Sequence, residues 1–393
     1  MRLLHGRHLG YCTNVHVAAS WLELQRVLDG PVQAVRERVA PGSTPFGLGL
    51  WLSHETVESL RQPGTLEELQ AWLKENHAHV FTLNGFPYGK FHGEAVKENV
   101  YRPDWTTRAR LDYTMGLFEL LAKVQPADAK LGTVSTLPGS FKGFALDDSA
   151  EEQMFRHISE CASMLDRLRD RHGRDFILGL EPEPLGTLET TAETRAFFQK
   201  FFARKDTPKC AREVIGVTYD ACHLAVEFED AATSLGALRD AGLRLAKIHL
   251  SSALRLRPDD SSLAVLQKFE EPVYLHQVIV RGKDGSLRRW RDLPEALEWA
   301  KDLPVNARGT EWRVHFHVPL HAAPEPPLGD TRENLAGVFD FLAQDPAACS
   351  HLEMETYTWA VLPESLRAAK VEGQIAAEYV WTLAELRKRG LAE

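Results

Sequence analysis

Residues 351–358 read His-Leu-Glu-Met-Glu-Thr-Tyr-Thr. In a strand, successive side chains point to opposite faces. His351, Glu353, Glu355 and Tyr357 then share one face, and Leu352 and Met354 lie on the other. The same two-sidedness recurs elsewhere. Over 10–16, Gly10, Cys12, Asn14 and His16 share a face, and over 215–223 Gly216, Thr218 and Asp220 do. A small or polar face opposite an apolar one is what a strand needs when it lines a lumen and is backed by a helix. Strands of a doubly wound parallel sheet are apolar on both faces.

Working outward, short apolar or small-residue runs alternate with longer amphipathic stretches, the pattern of βα units. Strands are expected at 10–16, 46–52, 79–86, 131–137, 176–183, 215–223, 245–251, 312–318 and 351–358. Helices are expected near 20–39, 65–77, 104–125, 147–173, 190–204, 228–242, 292–302 and 330–344, with a C-terminal helix at 363–389 opening on Pro363. The fold expected is one α/β domain over 1–393, a (β/α)8 TIM barrel. Nine strands for eight places leave one in an insertion. A β-hairpin is expected within 272–291 around Gly-Lys-Asp-Gly, inside an inserted segment at 255–318 after strand seven. The pattern leaves open which of 245–251 and 312–318 is the barrel strand.

The chain has 393 residues, 44% hydrophobic and 26% charged, ordinary for a folded domain. Its formal net charge of −9 argues against nucleic acid, which needs a basic surface, and for a small-molecule substrate. Five cysteines without a CxxC pair read as reduced thiols in a cytoplasmic protein. The N-terminus lacks the apolar run of a signal peptide, and no apolar stretch reaches 18 residues, so no membrane span is expected. Oligomeric state is not legible, and a homo-oligomer stays open.

Barrel active sites lie at the C-terminal ends of the strands. Glu181, Asp220, His249 and Glu355 each end an apolar strand. A single strand-end Asp is commonly a helix N-cap, and a single His a structural group. Three carboxylates buried in one mouth, however, need a cation. This donor set suits Mn²⁺, Mg²⁺, Co²⁺ or Zn²⁺. Glu353 is the rival of Glu355 for the last place. His223 lies three residues after Asp220, to orient substrate, bind a second metal or cap a helix. His315 and His317 share a strand face, and Lys247 shares one with His249. The stretch Asn84-Gly-Phe-Pro-Tyr-Gly reads as a shaped loop over the mouth, with Asn84 and Tyr88 as substrate contacts and His92 and Lys97 nearby. His16, His223, Lys247 and His317 complete the expected substrate-binding set.

Glu at strand five, Asp-x-x-His at strand six and Lys-x-His at strand seven resemble the xylose-isomerase-like barrels, which include sugar isomerases and epimerases and the AP endonuclease IV type. The phrases Tyr-Cys-Thr-Asn-Val-His (11–16), Asn-Gly-Phe-Pro-Tyr-Gly (84–89), Leu-Glu-Pro-Glu-Pro (180–184) and Glu-Thr-Tyr-Thr-Trp (355–359) resemble the EboE family of metabolite traffic proteins over nearly the whole chain. The first resemblance implies a Glu-Asp-His-Glu metal set, with Glu181 and Glu355 moving a proton on the carbon beside a ketose carbonyl. It leaves two alternatives, a metal-dependent hydrolase of the endonuclease IV kind and a metabolite-binding protein without turnover. The long insertion departs from the compact epimerases and leaves the shape of the substrate in doubt.

Overall fold

The computed structural model of the protein describes residues 1–90, 92, 95–364, 367 and 370–393. Among the described residues, thirteen strands run in chain order. The barrel is built from β1 (His8–Tyr11), β2 (Phe46–Trp51), β3 (Ala78–Asn84), β4 (Leu131–Thr136), β5 (Asp175–Leu180), β6 (Ile215–Asp220), β7 (Leu245–Leu250) and, after the insertion, β13 (His351–Met354). The insertion supplies β8 (Leu254–Leu256), β9 (Val278–Arg281), β10 (Leu287–Trp290), β11 (Glu311–Val314) and β12 (Gly329–Asp330).

The eight barrel strands are ordered β1-β13-β7-β6-β5-β4-β3-β2, every pair parallel. A parallel bridge between Cys12 and Gly49 links the two ends of that order. With helices outside, this is a (β/α)8 barrel. The helices start where capping chemistry allows. Ser20 and Glu23 form a capping box at Trp21–Val27, and Asp147 accepts from Ala150 N to open Asp148–His172. That helix stops at Gly173, whose φ of 62° suits a residue without Cβ.

Residues 245–250 are the barrel strand, and 311–314 belong to a second, antiparallel sheet ordered β10-β9-β11-β8-β12. The hairpin at 282–285 is present, with Leu287 opposite Arg281. The second sheet draws strands from 254 to 330, wider than a hairpin, and has its own core around Trp312, Val314 and Phe316. Residues 273–277 are not a strand, because Val273 O instead accepts from Val96 N and Lys97 N and so lays this stretch over the mouth.

Several other expected elements are shorter in the structure, among them the strands expected at 79–86, 176–183 and 215–223, which end at Asn84, Leu180 and Asp220. The first strand ends at Tyr11, and the chain then turns through Thr13–Val15 while Thr13 Oγ1 accepts from Trp51 N. The last strand ends at Met354 and passes into a 3-10 turn at Tyr357–Val361. The C-terminal helix runs Val371–Arg387, and residues 365, 366, 368 and 369 of the expected 363–389 helix lie outside the described residues.

Candidate metal centre

Asp220 closes β6 and opens the helix Ala221–Val226, with its Oδ1 accepting from His223 N at 2.9 Å and from Ser251 Oγ at 2.8 Å. Capping uses one carboxylate oxygen only. Oδ2 is buried, has no hydrogen-bond partner and faces His249 Nδ1 at 3.5 Å. Glu181, the first residue past β5, brings Oε1 to 3.0 Å from the same nitrogen, and Glu355, just past β13, brings Oε2 to 3.1 Å. One ligand atom from each of Glu181, Asp220, His249 and Glu355 lies within 4.8 Å of the others, and all four residues are buried.

One imidazole nitrogen can offer at most one proton to these three carboxylates. Glu181 Oε2 is also buried without a partner. Ligand atoms about 2.1 Å from one ion stand roughly 3.0–3.4 Å apart, close to the spacings around His249 Nδ1. The residues therefore fit a divalent ion, and the chemistry of the set, three carboxylates and one imidazole, is that of a hard or borderline cation.

Glu353 and Glu355 take different places. Glu353 Oε2 lies 2.9 Å from His249 Nε2 and 2.5 Å from Lys247 Nζ, behind the imidazole. A carboxylate there orients a ligating histidine. Glu355 Oε1 accepts from Asn14 Nδ2 at 2.8 Å and Asn84 Nδ2 at 2.9 Å, which leaves Oε2 turned to His249. Gly49 on β2 makes room for Glu353, since a Cβ at that position would overlap its carboxylate.

The electrostatics follow from burial and charge. Burial alone would lower the His249 pKa, but the Glu181 and Glu355 carboxylates outweigh it and push it well up. Burial raises Glu181 to about 7. For Glu355 burial acts in the same direction, but His249 beside it prevails and holds the carboxyl below its ordinary value. Burial would also raise Glu353, and Lys247 with His249 brings it down to about 2.

A cavity over the centre has among its polar lining Asn14, Asn84, Lys97, Glu181, Glu183, His223, His315 and Glu355, and among its apolar lining Phe86, Tyr274, Leu275 and Tyr357. Of the expected substrate contacts, Asn84 and His223 line it. Lys247 does not, being held by Glu353 and by Leu83 O. His16 pairs with Tyr11 Oη at 3.1 Å, away from the cavity. Tyr88 stacks on the His54 ring, with centroids 4.7 Å apart, and packs against Tyr113, so it supports the loop rather than facing the mouth. His317 donates through Nδ1 to Glu355 O at 2.7 Å. His92 Nε2 faces Asn14 O at 2.6 Å, and Lys97 Nζ reaches Tyr274 O at 2.7 Å and Asp292 at 2.7 Å. Sequence reading missed Asn14 as an anchor of Glu355, Glu183 and the roof residues Tyr274 and Leu275. Asn14 was visible on the polar face of the first strand, and Glu183 stood in the quoted Leu-Glu-Pro-Glu-Pro. The roof residues carry no local signal.

No protein-family model matches the chain, and no curated protein matches it. Among solved structures, a xylose isomerase-like TIM barrel protein from Mycobacterium smegmatis in complex with magnesium aligns at TM-score 0.51 and 10% identity, over 99% of this chain and 99% of that one. An L-ribulose 3-epimerase aligns at 0.49 and 12%, over 97% and 95%. A 3-keto-D-glucoside 4-epimerase from E. coli aligns at 0.45 and 14%, over 97% and 98%. At such identities the first alignment shows the barrel fold and nothing finer. No helix among the described residues is long and apolar enough to cross a membrane.

Proposed function

We propose that the protein is a metal-dependent isomerase or epimerase that moves a proton on the carbon next to the carbonyl of a small ketose or cyclic polyol. The observation that carries this reading is the convergence of Glu181, Asp220 and Glu355 on His249 Nδ1. A divalent ion bound there supplies Lewis-acid polarisation of a carbonyl oxygen. The chain's own residues supply the rest. Glu181, buried at the mouth beside the candidate ion, is the carboxylate placed to exchange a proton with the substrate. Glu355 is held ionised and pinned at Oε1 by Asn14 and Asn84, so Oε2 keeps one position. The two carboxylates come from strands separated by β6 and β7, so they approach a ligand from different sides.

The net charge of −9 and the cavity at the barrel mouth favour a small molecule over nucleic acid. The five cysteines are free thiols, in keeping with a reducing cytoplasm. The phrases that resemble EboE-type proteins support a role in the synthesis or traffic of a metabolite. The imidazole wall of His223, His315 and His317 supports a second reading, a metal-dependent hydrolase.

Incubation of Mn²⁺-loaded protein with a panel of ketoses in D₂O tests the first reading. Deuterium should enter the carbon beside the carbonyl of at least one ketose, and Glu181→Gln should abolish the exchange. Absence of exchange on every ketose, with metal bound, would reject it.

A further inference from the structure

The opposite end of the barrel holds a cavity of about 270 Å³ that the proposed reaction does not use. It lies among the N-terminal ends of the strands, where β1, β3 and β13 each bring a histidine to the floor. His8 and His351 are partners in register, with ring centroids 5.6 Å apart, and His8 Nδ1 lies 3.1 Å from His79 Nε2. Glu355, at the candidate metal centre, stands four residues beyond His351, roughly 13 Å of extended chain. The floor is therefore a separate place from the mouth.

Hydrogen bonding fixes what these rings offer. Thr82 Oγ1 donates to Thr133 O, and Thr133 Oγ1 donates to Thr82 Oγ1. Thr133 Oγ1 can then only accept from His351 Nδ1, at 2.8 Å. Between His8 and His79 one nitrogen donates and the other accepts. Burial, with the Met1 amino group and Arg2 adding to it, pushes His8 down to about 4 and His79 to about 3. Both rings are thus neutral at pH 7.

The rest of the polar lining is cationic. The chain folds back so that Arg2 bridges to His8, and Arg2, Arg7 and Lys130 all line the cavity. Among the described residues that line it, Asp128 is the one carboxylate, and it is engaged by Arg2 at 2.9 Å. Arg7 is fully buried. Its Nε and Nη2 donate to Cys349 O, Leu342 O and Pro346 O, which are uncharged acceptors. Asp345 acts on it from beyond ion-pair distance. Its Nη1 is buried and has no hydrogen-bond partner among the described residues. A buried charge without a close counter-ion is costly. An anion in the cavity supplies one.

We propose that this floor cavity binds a small oxyanion, a phosphate or a carboxylate, held by Arg7 and Lys130 and hydrogen-bonded by the floor imidazoles. Arg7 Nη1 offers its unused N–H groups, and Lys130 brings a mobile charge on a flexible stem. The proton shared by His8 and His79 can sit on either ring, so the pair can present a donor or an acceptor to the ligand. An anion so far from the mouth is no reactant. It acts on the stability of the barrel or as an effector.

Metal-free full-length protein, titrated calorimetrically with inorganic phosphate and separately with acetate, tests this. Leaving out the metal keeps the mouth from capturing either anion. One saturable site per chain is expected for at least one of the two, with a matching rise in the midpoint of thermal unfolding. The tighter of the two identifies the source. Arg7→Gln and Lys130→Glu should each weaken binding about tenfold or more, the loss of one charge-assisted hydrogen bond. Glu181→Ala, at the mouth, should leave it unchanged. If Arg7→Gln does not fold, as judged by circular dichroism, the exposed Lys130→Glu decides alone. No saturable binding of either anion, or binding unchanged in Lys130→Glu, would overturn the floor site.

Discussion

His249 and Glu353 stand back to back at the centre of the barrel, with Nε2 of the imidazole 2.9 Å from Oε2 of the carboxylate and both side chains fully buried. This contact sets the direction in which the other nitrogen points. Glu353 is held in turn by Lys247 and by the space that Gly49 leaves, so the order of support runs from β2 through β13 to β7 and then to the candidate ion.

Gly49→Ala tests that order from its far end. A methyl group there collides with the Glu353 carboxylate. Overpacking of this kind costs roughly 1–3 kcal/mol. Thermal unfolding should therefore begin at lower temperature, and Mn²⁺ should bind more weakly because His249 loses its orienting partner. Unchanged affinity in a folded variant would show that Glu353 does not position His249.

Glu353 and Glu355 should separate cleanly on substitution. Glu355→Gln should lose bound metal at the four-residue centre with little loss of stability. Glu353→Ala leaves Lys247 charged and buried without its partner, at a cost of about 3–5 kcal/mol. It should retain metal with reduced affinity. Elemental analysis and chemical denaturation on the same preparations check both halves.

Asn14 and Asn84 donate to the same oxygen of Glu355. Removing an outer partner of a metal ligand typically lowers affinity about 10–100-fold. Asn84→Ala should fall in that range in a Mn²⁺ titration. Tyr88→Phe should leave the affinity as it is, since that ring packs on His54 and Tyr113.

Metal affinity should rise with pH. In the metal-free protein the carboxylates push the His249 pKa well up, and burial holds Glu181 near 7. Both groups must be deprotonated to act as ligands, so binding expels protons. Below pH 7 Glu181 keeps its proton and competes with the ion, and above pH 7 that competition is gone. The apparent dissociation constant should fall by about tenfold per pH unit for each proton released. Isothermal titration in two buffers of different ionisation enthalpy counts those protons. Zero protons released at pH 6 would contradict the assignment.

Much of this was legible in the chain. Alternation along 351–358 and 215–223 gave lumen-facing strands, and strand-end position singled out Glu181, Asp220, His249 and Glu355. What alternation could not decide was depth along the barrel axis. Glu353 and Glu355 share a face, and only the end of β13 at Met354 puts one behind His249 and the other beside it. Lys247 and His249 share a face in the same way, and the Lys stays below the mouth. Tyr88 failed because a Gly- and Pro-rich loop has no period from which to read direction. The cavity roof at 271–277 was invisible because it is held by Lys97, some 175 positions earlier in the chain, through Glu271 O and Tyr274 O. The second sheet was underestimated because β8 and β12 are three and two residues long, too short to show alternation.

A crystal structure of the protein grown with Mn²⁺, with anomalous scattering recorded, examines the candidate metal centre without intermediaries. A peak should lie about 2.0–2.3 Å from oxygens of Glu181, Asp220 and Glu355 and from His249 Nδ1. Clear density for these four side chains with no peak among them, and His249 instead sharing a proton with Glu181 or Glu355, would contradict a metal centre in this barrel.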